Sequence, residues 1–469
     1  MSIPRFLLCF LFTALSFAPF SGIGAEKPNF IVIFCDDLGY NDIGPFGSKL
    51  HRTPHLDRMA KEGRTFTQFY STCGVCSPSR ASLMTGSYPK RIGLHQNQAG
   101  RWVLFPGDSR GLHPDEVTVA DLLKSEGYAT ACIGKWHLGD QPEFLPTRQG
   151  FDRYFGIPFS NDMGELDRPK GMYPPLPLLR GEQVIETEPD QRFITKRYTE
   201  EAIKFIQESE DQPFFLYLPH TMPHWPQYSS PQFDGRSANG AWGDTVEEID
   251  WSTGEILKEL DALGIRENTL VLFTSDNGGA TRHGASNFPL SGAKGSTMEG
   301  GQRIPMIVSW PGKIPAGSSS DALASTLDVL PTFAALAGTT PSPERTLDGF
   351  DIRPLLFGEG KQETPYESFL YYFRGSLQAI RSGPWKLHFQ RSAGKQKFPL
   401  RLYHLGNDVG ETKNVAEENP EIVKKLQKLA NQARKDLGDD AIGEPGSNLR
   451  EPGGVENAKP LTSAKNESI

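Results

Sequence analysis

Residues 29–35 read Asn-Phe-Ile-Val-Ile-Phe-Cys, a nearly continuous apolar run rich in β-branched and aromatic side chains. A run of this kind is typical of a strand that is buried on both faces of a parallel sheet. Asp36 and Asp37 follow the run directly, before Gly39. Two adjacent carboxylates at the end of a buried strand are unfavourable unless a cation or hydrogen-bond donors compensate them. An ordinary turn with solvated acids is the alternative interpretation.

Similar apolar runs recur at residues 128–134, 214–218, 269–275 and 304–310, and helical patterns separate several of them. This alternation predicts an α/β fold built on a large, mostly parallel sheet flanked by helices. Ligands bind beyond the carboxyl ends of the strands in such sheets, so polar residues that follow the runs are expected to converge. Each one alone is equally explained as surface decoration. These residues are Asp36, Asp37, Lys135, His137, His220, His224, Asp276 and Asn277.

The oxygen-bearing members of this set form a candidate metal site. Asp36, Asp37 and Asp276 supply carboxylates, and Asn277 supplies an amide oxygen. A set of oxygen ligands without thiolate or imidazole favours Ca²⁺ or Mg²⁺ over zinc.

Residues 76–86 read Cys-Ser-Pro-Ser-Arg-Ala-Ser-Leu-Met-Thr-Gly and have the features of a short helix. Ser77 is predicted to cap it, Pro78 suits its first turn and Gly86 suits its end. Cys76 would then lie at a helix N-terminus with Arg80 one turn away, where an anionic nucleophile or substrate is stabilised. The alternative is a cysteine that is a small buried hydrophobe or half of a disulfide.

The pattern Cys-x-Pro-x-Arg at residues 76–80, followed by Leu83 and Thr85-Gly86, resembles the modification site of the formylglycine-dependent (type I) sulfatase family. In that family a maturation enzyme oxidises the Cys to Cα-formylglycine. One hydroxyl of the hydrated aldehyde attacks the sulfate ester, and the other later expels sulfate. The resemblance extends over most of residues 27–440 and implies an alkaline-phosphatase-like fold.

The same resemblance implies roles for individual residues. It makes Cys76 the precursor of the nucleophile, with Arg80 holding and neutralising it, and it places a Ca²⁺ ion, with Mg²⁺ as the less favoured choice, at the candidate metal site together with residue 76. Lys135 and Lys294 would stabilise charge on the sulfuryl oxygens. His224, with Lys294 as a second candidate, would protonate the leaving alcohol, and His137 would take a proton during sulfate release. His220 competes with His224, but the His-x-Pro pattern of the family matches His224.

Residues 158–164, Pro-Phe-Ser-Asn-Asp-Met-Gly, are similar to a segment of the arylsulfatase A and galactosamine-6-sulfatase branch of the family. In that branch the Ser lies near the substrate sulfate, which makes Ser160 a candidate substrate contact. A helix cap or a turn is an equally good explanation.

Composition and the first residues of the chain restrict its location. The 49 Lys and Arg against 57 Asp and Glu give a net charge of −8, which argues against a general binder of nucleic acid or anionic membranes. Residues 1–25 contain Arg5, an apolar run and a small-residue end, typical of a signal peptide. The protein is therefore expected to be exported to the periplasm or the extracellular space, without a membrane span.

The cysteines that follow the expected signal peptide are Cys35, Cys73, Cys76 and Cys132. They are too sparse for a disulfide framework, and at most one bridge, without Cys76, is expected.

The C-terminal part of the chain has a different character. Four short strand patterns between residues 367 and 405 and a helix from Asn419-Pro420 predict a small antiparallel sheet with one helix. We therefore divide the chain into a signal peptide (1–25), a catalytic domain (26–360), a C-terminal subdomain (361–440) and a disordered tail (441–469). Residues 138–189, which show little periodicity, are expected to form long loops over one end of the large sheet.

Hydrolysis of sulfate esters, on a sulfated sugar or an aryl sulfate, is the leading functional hypothesis. A phosphoester hydrolase on the same fold is the second, although two-metal phosphatases need further His and Asp ligands where Lys135 and Lys294 would lie. A noncatalytic binder of sulfated polysaccharide, in which Cys76 stays a thiol, is the third.

Overall fold

A computed structural model describes residues 27–360, 362–393 and 396–461, so the expected signal peptide lies outside the described residues. The described strands are β1 (Asn29–Cys35), β2 (Arg64–Tyr70), β3 (Arg110–Gly111), β4 (Ala129–Ile133), β5 (Arg153–Gly156), β6 (Pro177–Arg180), β7 (Gln183–Thr187), β8 (Phe214–Pro219), β9 (Thr269–Ser275), β10 (Arg303–Ser309), β11 (Ser318–Ser320), β12 (Ala324–Ser325), β13 (Phe369–Phe373), β14 (Ser376–Ser382), β15 (Trp385–His388), β16 (Arg391–Ala393), β17 (Gln396–Phe398), β18 (Arg401–His404) and β19 (Gly453–Gly454). The described α-helices are α1 (Pro54–Glu62), α2 (Cys76–Thr85), α3 (Val119–Ser125), α4 (Ile194–Glu208), α5 (Gly240–Ala262), α6 (Glu299–Gln302), α7 (Val329–Leu336), α8 (Arg353–Phe357) and α9 (Pro420–Leu437).

The large sheet has eleven strands in the order β11-β2-β10-β9-β1-β8-β4-β5-β6-β7, with β12 also paired to β2. Strand β1 lies near its centre, parallel to β8 and β9, and all seven of its residues are buried, as the apolar run predicted. Strands β4 and β8 are also parallel, so the carboxyl ends of β1, β4, β8 and β9 meet at one edge. The prediction of a large, mostly parallel central sheet is confirmed.

Strand β10 runs antiparallel to β9. The start of β10 therefore lies at the same edge as the end of β9, and the segment before β10 enters the edge that carries the strand ends. This reversal brings the loop around Lys294 towards residues that follow parallel strands.

Helices cover both faces of the sheet. Alternate side chains of β1 enter two apolar clusters: Ile31 and Ile33 pack with residues of α1, α4 and α5, whereas Phe30 and Val32 pack with residues of α2, α3 and α7. Helix α3 is preceded by its N-cap residue Thr118, which forms a reciprocal capping box with Asp121. Among the described residues, no helix combines the length and the apolar character that crossing a membrane requires.

The expectation of long loops at residues 138–189 is wrong in part. Strands β5, β6 and β7 lie in this segment and extend one edge of the large sheet. Each has only four or five residues, and β6 and β7 are joined by Gly181 and Glu182 and interrupted by a register shift. Short edge strands with partly exposed side chains lack the continuous apolar run that identifies the central strands.

The C-terminal subdomain has the predicted antiparallel sheet, in the order β13-β14-β15-β18, and α9 contributes Leu426 and Ala430 to its apolar cluster. The expected disorder after residue 440 is wrong for residues 441–461, which we call the C-terminal segment. Arg450 pairs with Glu116 at 2.7 Å, and β19 pairs with β3. Composition suggested disorder because this segment has few apolar residues, whereas its order depends on contacts with distant parts of the chain. Residues 462–469 lie outside the described residues.

Candidate active site

Most of the predicted polar residues meet at the carboxyl edge of the large sheet. They surround a pocket with a volume of about 300 Å³. The predicted site residues among those that line it are Asp37, Cys76, His137, Ser160, His224 and Lys294.

Cys76 is the first residue of α2, after the extended Val75, and only 2% of its surface is exposed. Its Sγ lies 3.2 Å from Oδ1 of Asp36. Burial, and then the charge of Asp36, hold the pKa of the thiol well above its usual value. The helix ends at Gly86 with φ of 63°, as predicted. The prediction that Ser77 caps the helix is wrong, because Ser77 lies inside it and its Oγ accepts a hydrogen bond from the Leu104 N–H at 3.1 Å.

Arg80 lies fully buried one turn along α2 and joins three elements of the site. Its Nε and Nη2 donate to Oδ2 of Asp276 at 3.1 and 2.8 Å, and its Nη1 donates to the Lys135 carbonyl at 2.9 Å. Burial and the charge of Asp36 raise the pKa of Asp276 to about 7, although Arg80 opposes this shift. Arg80 therefore fixes α2 to the ends of β9 and β4.

Lys135 forms a buried ion pair with Asp36, and its Nζ also donates to Ser160 Oγ at 3.2 Å. Burial alone would raise the pKa of Asp36, but Lys135, followed by His224 and Arg80, lowers it well below its usual range. Asp36 is therefore ionised, and Ser160 lies beside Lys135, the cation that neutralises Asp36.

Asp37 has a left-handed backbone with φ of 70° and is held by several donors. Lys294 Nζ donates to its Oδ2 at 2.8 Å, and Asn277 Nδ2 donates to its Oδ1 at 2.8 Å. Its own N–H donates to Asp276 Oδ1 at 3.1 Å. A non-glycine residue in this conformation is unfavourable by itself and persists where neighbours fix it, as they do here.

The donor set fits a hard divalent cation. The Oδ1 atom of Asn277 is buried and has no hydrogen-bond partner within the described part of the chain, and three carboxylates lie in the same cluster. Ligand atoms of Asp36, Asp37, Cys76 and His224 lie within 4.8 Å of one another. A buried amide oxygen left unpaired beside carboxylates is the arrangement that Ca²⁺ or Mg²⁺ satisfies.

His137 is buried with φ of 64°, and its ring lines the pocket. Its Nε2 lies 2.9 Å from the Leu104 carbonyl, so this nitrogen donates. Burial, and then the charge of Lys135, hold the pKa of His137 well below its usual value, so the ring is neutral. Its Nδ1 atom has no hydrogen-bond partner among the described residues and is the free proton acceptor.

His224 and His220 occupy different places. The Nδ1 of His224 donates to the Trp225 carbonyl at 2.5 Å, and its Nε2 lies 3.7 Å from Asp37 Oδ2. Burial and the charge of Lys294 lower its pKa. His220 does not line the pocket; its Nε2 lies 3.4 Å from Ser252 Oγ on α5. The expected convergence is therefore wrong for His220. As the first residue after β8, it keeps the side-chain direction of a strand residue and faces α5 on one face of the sheet, away from the pocket.

The outer wall of the pocket consists of residues that were not predicted from the sequence. The Arg168 guanidinium stacks over Trp225 with 4.9 Å to the ring centroid and pairs with Asp162. The available signal was their position next to the identified motifs, because Trp225 follows His224 directly and Asp162 follows Ser160 by two positions. The wall residues are Trp102, Phe105, Asp162, Arg168, Tyr173, Trp225, Arg282 and His283.

Comparison with known proteins shows the family of the chain. The sulfatase family model matches residues 28–339, and the C-terminal model of N-sulphoglucosamine sulphohydrolase matches residues 294–436. Human (Homo sapiens) arylsulfatase A is 40% identical over 477 residues, which cover 92% of this chain and 90% of the relative. The N-acetylgalactosamine-6-sulfatase of Canis lupus familiaris is 37% identical over 465 residues, with 89% and 88% covered.

Solved structures give the same result for the fold. The crystal structure of Ps i-CgsB in complex with k-i-k-neocarrahexaose superposes with a TM-score of 0.76 at 33% identity, and the match covers 87% of this chain and 93% of that one. The mixed sheet with its smaller antiparallel partner is thus the alkaline-phosphatase-like fold of these enzymes. The chain belongs to the sulfatase family and is a sulfuric ester hydrolase.

Proposed function

We propose that this protein hydrolyses sulfate esters of carbohydrates, using a formylglycine made from Cys76 and a bound Ca²⁺ ion. The observation that supports this most directly is the position of Cys76 Sγ, 3.2 Å from Asp36 Oδ1 inside the pocket that also contains Lys294 and both active-site histidines. The sulfatase family generally uses a formylglycine and a divalent metal. The hydrated aldehyde would supply the attacking hydroxyl.

Asp36, Asp37, Asp276 and Asn277 would hold the cation together with residue 76. When bound, the cation would polarise the sulfuryl oxygens and stabilise the attacking oxygen as an anion. The unpaired Oδ1 of Asn277 supports this assignment, and so does the ionised carboxylate of Asp36. The preference for Ca²⁺ rests on the oxygen ligands, because magnesium requires a stricter octahedral geometry and retains more water.

The lysines would bind the sulfate end of the substrate. Lys135 Nζ contacts both Asp36 and Ser160, and Lys294 Nζ contacts Asp37, so each of the paired aspartates has its own ammonium group. Burial would lower the pKa of Lys294, but Asp37 more than reverses this, and Lys294 stays charged. Two ammonium groups fixed at or beside the pocket would stabilise negative charge that develops on sulfate oxygens.

The two histidines would transfer protons in different steps of the reaction. Neutral His137, with its free Nδ1, is suited to accept a proton when sulfate is released. His224 presents Nε2 towards Asp37 while its Nδ1 donates to Trp225. His224 would protonate the leaving alcohol once the negative charge of a bound sulfate offsets the effect of Lys294 on the pKa of His224. Lys294 itself is the second candidate for this proton donor.

A sugar as the alcohol part is supported by the aromatic wall, because sugar rings pack their C–H faces on aromatic side chains. Trp102, Phe105, Tyr173 and Trp225 provide such surfaces. Two of the relatives named above also carry carbohydrate names, a galactosamine sulfatase and a complex with a neocarrahexaose. Residues 1–25 support export to the periplasm or the extracellular space, and maturation of Cys76 would require a formylglycine-generating enzyme.

Two measurements test the proposal. Mass spectrometry of the peptide that contains Cys76, from protein made in its native host, is expected to find the aldehyde. Turnover of an aryl sulfate is expected to exceed that of the matched aryl phosphate. An unmodified thiol without turnover would favour a noncatalytic binder of sulfated polysaccharide, and faster turnover of the phosphate would favour a phosphoester hydrolase.

A further inference from the structure

We infer that Glu411, a residue of the C-terminal subdomain, positions Lys294 for the reaction. The inference rests on the proposed role of Lys294 as a sulfate-binding cation. Glu411 does not line the pocket, so its effect is indirect and acts through the loop of residues 291–299 that carries Lys294.

The loop reaches the pocket through backbone contacts with two other segments. The N–H of Lys294 donates to the Gly279 carbonyl at 3.1 Å, and the N–H of Gly295 donates to the Gly74 carbonyl at 2.7 Å. These bonds place the loop between the turn after β9 and the turn before Cys76. They fix its middle, but not its two ends.

A single carboxylate oxygen holds both ends of the loop. Oε2 of Glu411 accepts the N–H of Glu299 at 2.6 Å and the hydroxyl of Ser291 at 3.3 Å. The Gly300 N–H also donates to the Ser291 carbonyl at 2.7 Å, so the loop is closed at its base. Because Glu411 contacts residues 291 and 299, a shift of its carboxylate would move both ends of the loop that presents Lys294.

The other oxygen of Glu411 is fixed by buried charges of the antiparallel sheet. Oε1 lies 3.0 Å from Lys386 Nζ and 2.8 Å from His388 Nε2. Lys386 also pairs with Glu299 Oε1 at 2.9 Å, and the side chains of Lys386, Glu299 and Glu411 are fully buried. A buried carboxylate with these partners has a single favourable orientation, since leaving any of the charges unpaired is strongly unfavourable.

The backbone of Glu411 supports a special role. Its φ of 52° lies in the left-handed region, where a glutamate is uncommon, and asparagine or glycine would be accommodated more easily. Such strain is retained where the side chain is needed at that position. Here the side chain that is needed is the Glu411 carboxylate, which lies between Lys386 and the loop that carries Lys294.

The test compares Glu411→Gln and Glu411→Asp in the otherwise unchanged enzyme and in Lys294→Ala, with kcat and KM measured on an aryl sulfate. Gln keeps the length without the charge, and Asp keeps the charge but is too short to reach Glu299. Each is expected to lower kcat on the order of 10-fold, since about 1 Å of misplacement can cost about 100-fold. In Lys294→Ala the same changes should have little further effect, because an absent ammonium cannot be misplaced.

The outcomes separate this inference from the proposed function. If a Glu411 change lowers kcat by the same factor in Lys294→Ala as in the otherwise unchanged enzyme, the positioning role of Glu411 is overturned. Unchanged kcat in the Glu411 variants would overturn it as well, and neither result would affect the proposed function. Unchanged kcat in Lys294→Ala would overturn the proposed role of Lys294 and the inference with it. Glu418→Gln, an exposed change in the same subdomain, is the control and should behave as the unchanged enzyme. If the Glu411 variants do not fold, Ser291→Ala removes one loop contact without touching the buried charges, and the same coupling is expected.

Discussion

Asn277 donates its side-chain amide hydrogen to Oδ1 of Asp37 at 2.8 Å, and its own Oδ1 atom is left buried without a hydrogen-bond partner in the described structure. The amide thus orients one aspartate and offers a spare oxygen at the same place. This pairing is the local basis of the proposed cation site.

Removing that oxygen should weaken cation binding. Addition of Ca²⁺ is expected to raise the melting temperature of the protein, because a ligand at 100 times its Kd stabilises the folded state by about 2.7 kcal/mol. Asn277→Ala should reduce this shift, and differential scanning calorimetry with and without Ca²⁺ measures it. Asn268→Ala, before β9 at the opposite end of the strand, is the matched control. An equal Ca²⁺ shift in both variants would contradict the assignment of Asn277.

Cys76→Ala should abolish turnover and leave the fold intact, because the small buried side chain at the start of α2 is exchanged for a smaller one. Aryl sulfate hydrolysis and the circular dichroism spectrum measure the two effects. Cys73→Ala is the control: this cysteine is also buried and unpaired, three residues away, and does not line the pocket. Full activity of Cys76→Ala would overturn the nucleophile assignment.

The two histidines after β8 should separate catalysis from stability. His224→Gln is expected to lower kcat about 100-fold or more, as loss of a general acid does, with a small change in melting temperature. His220→Gln should lower the melting temperature and leave kcat unchanged, since His220 contacts α5 and not the pocket. A larger kcat loss in the His220 variant would reverse the two assignments.

Glu248 on α5 should make stability depend on pH. Its Oε2 accepts the Ser230 N–H at 3.0 Å, its Oε1 has no partner in the described part of the chain, and burial raises its pKa from 4.5 to about 7. The folded state therefore binds more protons than the unfolded state between these values, and stability falls as pH rises from about 4.5 through 7. The cost reaches about 3 kcal/mol above pH 7.

Glu248→Gln removes this titration, so the melting temperature of the variant relative to the unchanged protein should increase between pH 5 and pH 8. Thermal unfolding at the two values measures the difference. Glu255→Gln, on the same helix but paired with Lys258 at its surface, should show no such trend. A constant difference for Glu248→Gln across this pH range would be inconsistent with a raised pKa.

The C-terminal segment should be needed for activity. The Val455 N–H donates to the Ser109 carbonyl at 2.9 Å, and this region of the chain also supplies Leu104, whose carbonyl holds His137. Ending the chain at residue 449, or Arg450→Ala, is therefore expected to lower kcat/KM and to speed proteolysis near residues 97–111. Arg353→Ala, which removes an exposed ion pair, is the control. Unchanged kcat/KM in the shortened chain would show that residues 97–111 keep their position without the C-terminal segment.

The parts of the site that the sequence predicts are those that follow buried strands. Apolar runs at β1, β8 and β9 locate the edge, and the residues after them can then be placed without knowing any contact. The side to which a residue points was not predictable in the same way, as His220 illustrates. The edge strands β5 to β7 and the C-terminal segment were missed because contacts with distant residues, and not local composition, give them their order.

The pairing of β19 with β3 also has a consequence for biosynthesis. The ribosome makes residues 450–460 after residues 76–111, and they hold the region around Leu104 that covers the start of α2. Cys76, almost inaccessible in the finished enzyme, would thus be less enclosed before residues 450–460 have been translated and have folded. A maturation enzyme that works on the nascent polypeptide would have its best access during that interval.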